Sequence, residues 1–150
     1  MTTIATTPQS PSIGTPQKQQ QLQVTLASQQ HIVNIAQIVS KELQKSPNFL
    51  KLGFQFLGPE LAKHLAFNVL NAANCTITYL DLSGNLLGDE GALHIAEALK
   101  TNTSVQYLNL SMNDISHGAK AILATVFEQK DGEKFNTTLQ HLDLSMNRLG

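Results

Sequence analysis

The chain has 150 residues, which suits one domain, and its ten basic and eleven acidic residues leave a formal net charge of −1. Charged residues make up only 14% of the sequence, and this low, balanced charge argues against a nucleic-acid-binding surface. One cysteine, Cys75, excludes a disulfide framework and a four-cysteine zinc site. The chain has neither an apolar run of transmembrane length nor the features of a secretory signal, so we expect a cytoplasmic protein without membrane insertion.

The first 24 residues are rich in Thr, Gln, Pro and Ser, and they contain three of the five prolines. This composition offers too little apolar surface to offset the entropy of ordering, so residues 1–24 are predicted to form a disordered tail. A linker or targeting segment is the functional alternative to an idle terminus.

Apolar residues then recur every three or four positions, at Ile32, Ile35, Val39 and Leu43. This spacing predicts an amphipathic helix over about residues 26–45, within a region that spans 25–46. We expect the helix to cover the open end of the repeats that follow, because stacked repeats need a cap with a polar outer face. A helix that docks on a partner is the alternative.

The strongest signal is an internal repeat with the sequences LKLGFQFLG, LDLSGNLLG, LNLSMNDIS and LDLSMNRLG. The copies begin 30, 28 and 34 residues apart, at Leu50, Leu80, Leu108 and Leu142. The L-x-L alternation predicts a short strand with one buried face. The asparagine at the sixth position is expected to bond backbone groups from copy to copy, and Gln55 fits this role less well than Asn85, Asn113 and Asn147.

Each of the first three copies is followed by four apolar residues at helical spacing. The three sets are Ala62, Leu65, Ala66 and Val69; Ala92, Ile95, Ala96 and Leu99; and Ala119, Ile122, Leu123 and Val126. The helix starts are predicted at Pro59, at Asp89 as a cap and at Ser116 as a cap. The unit is therefore a strand, a turn, a helix and a loop, repeated with parallel strands.

The segment LDLSGNLLGDEGALHIAEALKTNTSVQYLNL resembles the leucine-rich repeat of the ribonuclease-inhibitor-like class, and the resemblance covers residues 47–150 in about three and a half units. It implies an α/β solenoid, a right-handed superhelix with parallel strands inside and helices outside. It also implies a non-enzymatic module that binds a partner protein on the concave strand face.

Two features depart from the family pattern. The third unit has about six extra residues around 128–134, which we expect to be a solvated loop or part of a binding rim. The sequence stops at Gly150, directly after the fourth strand motif, so Leu142, Leu144 and Leu149 are expected to lie uncovered. This favours a truncated or split chain, or one that self-associates end to end.

Side chains that flank the buried leucines point away from the helices and form rows about 4.8 Å apart per strand. One row is aromatic, the next is polar and mildly acidic, and a third contains Ser83, Ser111 and Ser145 beside two methionines. Tyrosine often supplies binding energy in interfaces, and methionine adapts to varied surfaces. The predicted partner-binding residues are Tyr79, Asp81, Tyr107, Asn109, Met112, His141, Asp143 and Met146.

Signals for an enzyme are weak. None of the five histidines has the spacing of a metal site, and His64 with His94 would supply only two ligands. Cys75 is expected to pack in a loop, and Asp81 lies two strands from Asp143, about 10 Å away. We therefore predict no catalytic residue, metal or cofactor.

Several alternatives remain at this stage. The chain is expected to bind a protein of unknown identity and no nucleic acid. A second hypothesis is the recognition arm of a larger enzyme, an immune-type sensor or a bacterial effector that acts in the cytoplasm of a host cell, truncated at residue 150. A third is a self-assembling piece that joins through its uncapped ends.

Overall fold

The computed structural model describes residues 15–128 and 135–150, and the chain divides into two compact units, Met1–His31 and Ile32–Gly150. The second unit alternates short strands with helices and contains the hydrophobic core. The elements in chain order are α1 (Pro16–Lys45), β1 (Phe49–Lys51), α2 (Pro59–Leu65), a π-helical turn (Ala66–Leu70), β2 (Tyr79–Asp81), α3 (Gly88–Leu99), β3 (Tyr107–Asn109), α4 (Gly118–Phe127) and β4 (His141–Asp143).

Helix α1 is longer than the periodicity predicts, because it begins at Pro16 instead of near residue 26. Proline suits the first turn of a helix, and the glutamines after it are good helix formers. Residues 16–24 thus belong to the helix and not to the predicted tail, whose residues 1–14 lie outside the described residues. Ile35 and Val39 join the core, whereas Ile32, from the same predicted stripe, is exposed.

The four strands form one parallel sheet in the order β1-β2-β3-β4. The middle residue of each of the first three strands, Leu50, Leu80 and Leu108, is fully buried against the helices. Leu142 in β4 is half-buried. The register places residues of successive repeats side by side, as the sequence alignment predicts.

The helices bury the predicted stripes except at two places: Leu123 is exposed and Val69 is half-buried. Helix α2 begins at Pro59 as predicted, but the predicted caps at Asp89 and Ser116 are wrong. Neither α3 nor α4 has a hydrogen bond from the side chain of its own N-cap residue. Instead, the Asp89 carboxylate accepts hydrogen bonds from the backbone N–H groups of Ser116 and Gly118, at 2.7 and 2.8 Å, and so binds the start of the next helix.

The predicted asparagine ladder is confirmed. Asn113 donates from Nδ2 to the carbonyl oxygens of Leu82 and Ser111, and its Oδ1 accepts from the backbone N–H groups of Asn85 and Leu87. Asn85 and Asn147 bond neighbouring turns in the same way. These bonds satisfy peptide groups that the sheet does not reach.

A second asparagine ladder, which the sequence analysis missed, joins the loops that lead from the helices to the strands. Asn102 and Asn136 are buried, and each donates to a backbone carbonyl of the preceding repeat and accepts hydrogen bonds from two backbone N–H groups of its own loop. In the inserted segment around 128–134, residues 129–134 lie outside the described residues.

Candidate protein-binding surface

An aromatic row crosses all four strands on the face of the sheet away from the helices. Tyr79 and Tyr107 stack with ring centroids 4.4 Å apart and planes 7° from parallel. Phe49 lies 5.9 Å from Tyr79, and His141 lies 5.9 Å from Tyr107. Tyr79, Tyr107 and His141 were predicted from the sequence to lie in one row. Phe49 was not, although it precedes Leu50 just as Tyr79 precedes Leu80.

A polar row runs beside the aromatic row. Each of its acidic or amide residues also shapes the turn that follows. The side chains of Asp81, Asn109 and Asp143 accept hydrogen bonds from the backbone N–H two residues onward, at 3.0, 2.9 and 2.8 Å. Hydrogen bonds from Ser145 hold the pKa of Asp143 below its ordinary value, so this carboxylate stays ionised. The polar row therefore also has a structural role, because it holds the turns that follow the strands.

A cation already contacts the aromatic row within the chain. Lys51, the first member of the polar row, places Nζ 5.8 Å from the centroid of the Tyr79 ring. Burial raises the pKa of Tyr79, and the negative charge of Asp81 raises it further. The phenol is thus neutral at physiological pH, and its ring face is a site where a positive group is attracted.

The third predicted row is only partly correct. Ser83 and Ser111 are buried, whereas Ser145 is exposed. The two methionines beside it, Met112 and Met146, are exposed as expected. They lie in the turns after the strands, with φ of 55° each, and not on the sheet itself.

Residues with catalytic or metal-binding potential do not converge in the described part of the chain. There, no group of three or more His, Cys, Asp or Glu side chains is placed to hold a metal ion. His64 contacts Asn68, and burial lowers the pKa of its imidazole; His94 contacts Phe67. Cys75 packs against the core, and its sulfur accepts a hydrogen bond from Ser104 at 3.3 Å.

None of the helices in the described residues combines the length and the apolar character that crossing a membrane requires.

Comparison with known proteins agrees with this geometry. The family model described as Leucine Rich repeat matches residues 73–96, 101–122 and 135–150. A solved structure of the Leiomodin-1 Actin-Binding Site 2 superposes with a TM-score of 0.52 at 20% sequence identity, over 76% of this chain. The chain spans 64% of the length of that structure.

The three matched segments and the parallel strand-and-helix architecture identify leucine-rich repeats in this chain. The likeness to the leiomodin structure supports the α/β solenoid fold. Leucine-rich repeats typically form a non-enzymatic protein-interaction fold, in which shape is shared and partners differ.

Proposed function

We propose that the chain is a non-enzymatic protein-interaction module of the ribonuclease-inhibitor-like class, which binds a partner protein on its concave strand face. The observation that carries the proposal is the aromatic row, in which Tyr79 and Tyr107 are stacked 4.4 Å apart beside a charged polar row. Because the stacked rings are already ordered, binding loses little side-chain entropy there. The proposed contact residues are Tyr79, Asp81, Tyr107, Asn109, Met112, His141, Asp143 and Met146.

The partner is proposed to be a protein that acts in the cytoplasm, bound without metal, cofactor or nucleic acid. The leiomodin structure bears an actin-binding site, so actin is a defined first probe for this chain. The alternative is that the same face serves as the recognition arm of a larger enzyme, immune-type sensor or effector.

The proposal is tested by comparing Tyr107→Ala with Phe67→Ala, since Phe67 is an exposed aromatic residue on a helix outside the strand face. Each variant and the parent chain are used in quantitative capture from cell extract and in co-sedimentation with filamentous actin. We expect at least one protein to be retained by the parent and by Phe67→Ala, and lost from Tyr107→Ala. Equal retention by all three chains would overturn the proposal.

A further inference from the structure

Large apolar side chains are exposed where the chain turns from each strand toward the following helix. These five residues are between 40 and 75% exposed, and their φ angles lie between 54° and 58°. We call them the turn-edge strip: Phe54, Phe56, Leu86, Met112 and Met146.

The strip is costly for the isolated fold. In the left-handed backbone region a residue with a Cβ is strained, whereas glycine is free. Gly84 has φ of 62° and occupies, in the second repeat, the position of Phe54, Met112 and Met146, so the fold accepts glycine there. Bulky apolar residues at strained, solvated positions favour a surface that another molecule covers.

The strip has a residue in every repeat but uses two turn positions, because Phe56 and Leu86 lie two residues beyond the position of Phe54, Met112 and Met146. Phe54, Gly84, Met112 and Met146 occupy equivalent positions in successive turns, and the Phe54 ring lies over Gly84, where an added Cβ would stand 2.5 Å from the ring. Successive strands are about 4.8 Å apart, which is close to the roughly 5.4 Å pitch of an α-helix. A helix that lies across the strands therefore presents one apolar side chain to each repeat.

The charges beside the strip are mainly negative. Lys51 and Arg148 are the basic residues in the strand and turn motifs, and Arg148 is paired with Asp114. Acidic residues lie in the polar row and in the first turns of the helices that follow the strip. These residues are Asp81, Asp143, Glu60, Asp89 and Glu90.

We propose that the turn-edge strip binds an amphipathic α-helix of a partner protein, with the apolar stripe of that helix on the strip and its Lys and Arg residues facing the neighbouring carboxylates. This inference rests on the proposed protein-binding function and adds the chemistry of the partner. It also adds a contact surface beyond the strand face, since Phe54, Phe56 and Leu86 are outside the contact set above.

The probe is a helical peptide of Leu and Lys with leucines at i, i+3, i+4 and i+7, titrated against the full chain by fluorescence anisotropy. Leu86→Asn removes an apolar side chain that is 57% exposed, and asparagine tolerates the left-handed backbone. Leu93→Asn is the matched control, because Leu93 is 54% exposed on the outer side of α3. We expect Leu86→Asn to weaken binding at least about tenfold and Leu93→Asn to leave it unchanged.

Thermal unfolding of both variants checks that each is folded, and a Leu/Glu peptide of the same pattern checks the charge preference. Absence of saturable binding, equal binding of the Leu/Glu peptide, or equal affinity of the two Asn variants would overturn the proposal. Tyr107→Ala in the same titration separates the two surfaces. If it abolishes peptide binding while Leu86→Asn does not, the peptide lies on the strand face, and the strip fails while the proposed function stands.

Discussion

Asn113, at the centre of the ladder, has no exposed surface, and its side chain makes four hydrogen bonds to backbone groups, three of them in the preceding repeat and one in its own turn. In Asn113→Ala the carbonyls of Leu82 and Ser111 keep a second donor, but the buried N–H groups of Asn85 and Leu87 lose their acceptor. Since each such group costs about 1–3 kcal/mol, we expect the free energy of unfolding to fall by about 3 kcal/mol or more. Urea denaturation followed by circular dichroism measures the loss.

Gln55 is the matched control, because it stands at the equivalent position of the first repeat but is exposed and bonds only locally, to the carbonyl of Gly53. Gln55→Ala is expected to change the free energy of unfolding by less than about 0.5 kcal/mol. Comparable losses in the two variants would contradict a ladder that depends on buried amides.

Asp89 gives the fold a defined pH dependence. Hydrogen bonds from the N–H groups of Gly118 and Ser116 lower the pKa of its carboxyl in the folded chain. A lowered folded pKa stabilises the fold above the unfolded pKa, and this contribution is lost as pH falls through the folded value. Asp89→Asn keeps an acceptor oxygen but removes the titration, so we expect its stability to fall less than that of the parent chain between pH 7 and pH 3, in urea melts.

Glu90 supplies the control for this titration, because it is the exposed neighbour of Asp89 in the same helical turn. Glu90→Gln is expected to keep the pH dependence of the parent. An unchanged pH dependence in Asp89→Asn would show that the contact between α4 and Asp89 contributes nothing to acid sensitivity.

Asn113 and Asp89 also show which structural roles can be predicted from a sequence. The role of Asn113 follows from its recurrence at a fixed place in every copy but the first. The role of Asp89 does not, because the N–H groups it accepts belong to residues 27 and 29 positions later, in the next repeat. Local capping rules assign such a carboxylate to its own helix.

At the scale of elements, α1 provides a direct test of the predicted capping role. Ile35 has no exposed surface and belongs to the same core cluster as Leu50 and Leu52 of the first repeat. Ile35→Ala opens a cavity against that repeat, so we expect a loss of about 3 kcal/mol in the free energy of unfolding. Chemical denaturation of the full chain measures it.

Ile32 makes the comparison within one helix turn, because it has the same side chain but is 46% exposed. Ile32→Ala is expected to cost less than about 1 kcal/mol. If both variants lost the same small amount, α1 would not stabilise the first repeat as a cap.

Element boundaries differ in how well the sequence predicts them. The end of α1 at Lys45 agrees with the predicted end near residue 45, and Pro47 accounts for it, since proline disfavours helix in the residue before it. Its start at Pro16 differs from the predicted start near residue 26, because a glutamine-rich composition is typical of disorder although glutamine itself is a good helix former.

At the scale of the whole molecule, the repeat alignment predicts most of the strand-face surface, because parallel pairing in register turns equivalent positions into rows. It does not predict the burial of Ser83 and Ser111. The left-handed turn residues carry no distinctive sequence signal either, since methionine and leucine are usually assigned to the core.

Self-association remains a separate prediction at this scale. Leu142 and Leu144 of the fourth repeat are only partly buried, and Leu149 is 49% exposed. We expect light scattering on the 150-residue chain to show a mass that rises with concentration, and Leu149→Glu to reduce that rise. A constant monomer mass across the concentration range would contradict self-association.

The central claim is that the partner contacts the aromatic row directly. Hydroxyl-radical footprinting of the chain with and without its captured partner measures the solvent access of Tyr79 and Tyr107 in the complex. The account predicts that oxidation of both rings falls sharply on binding, while oxidation of exposed Phe67 stays constant. Unchanged oxidation of the two tyrosines in a saturated complex would contradict it.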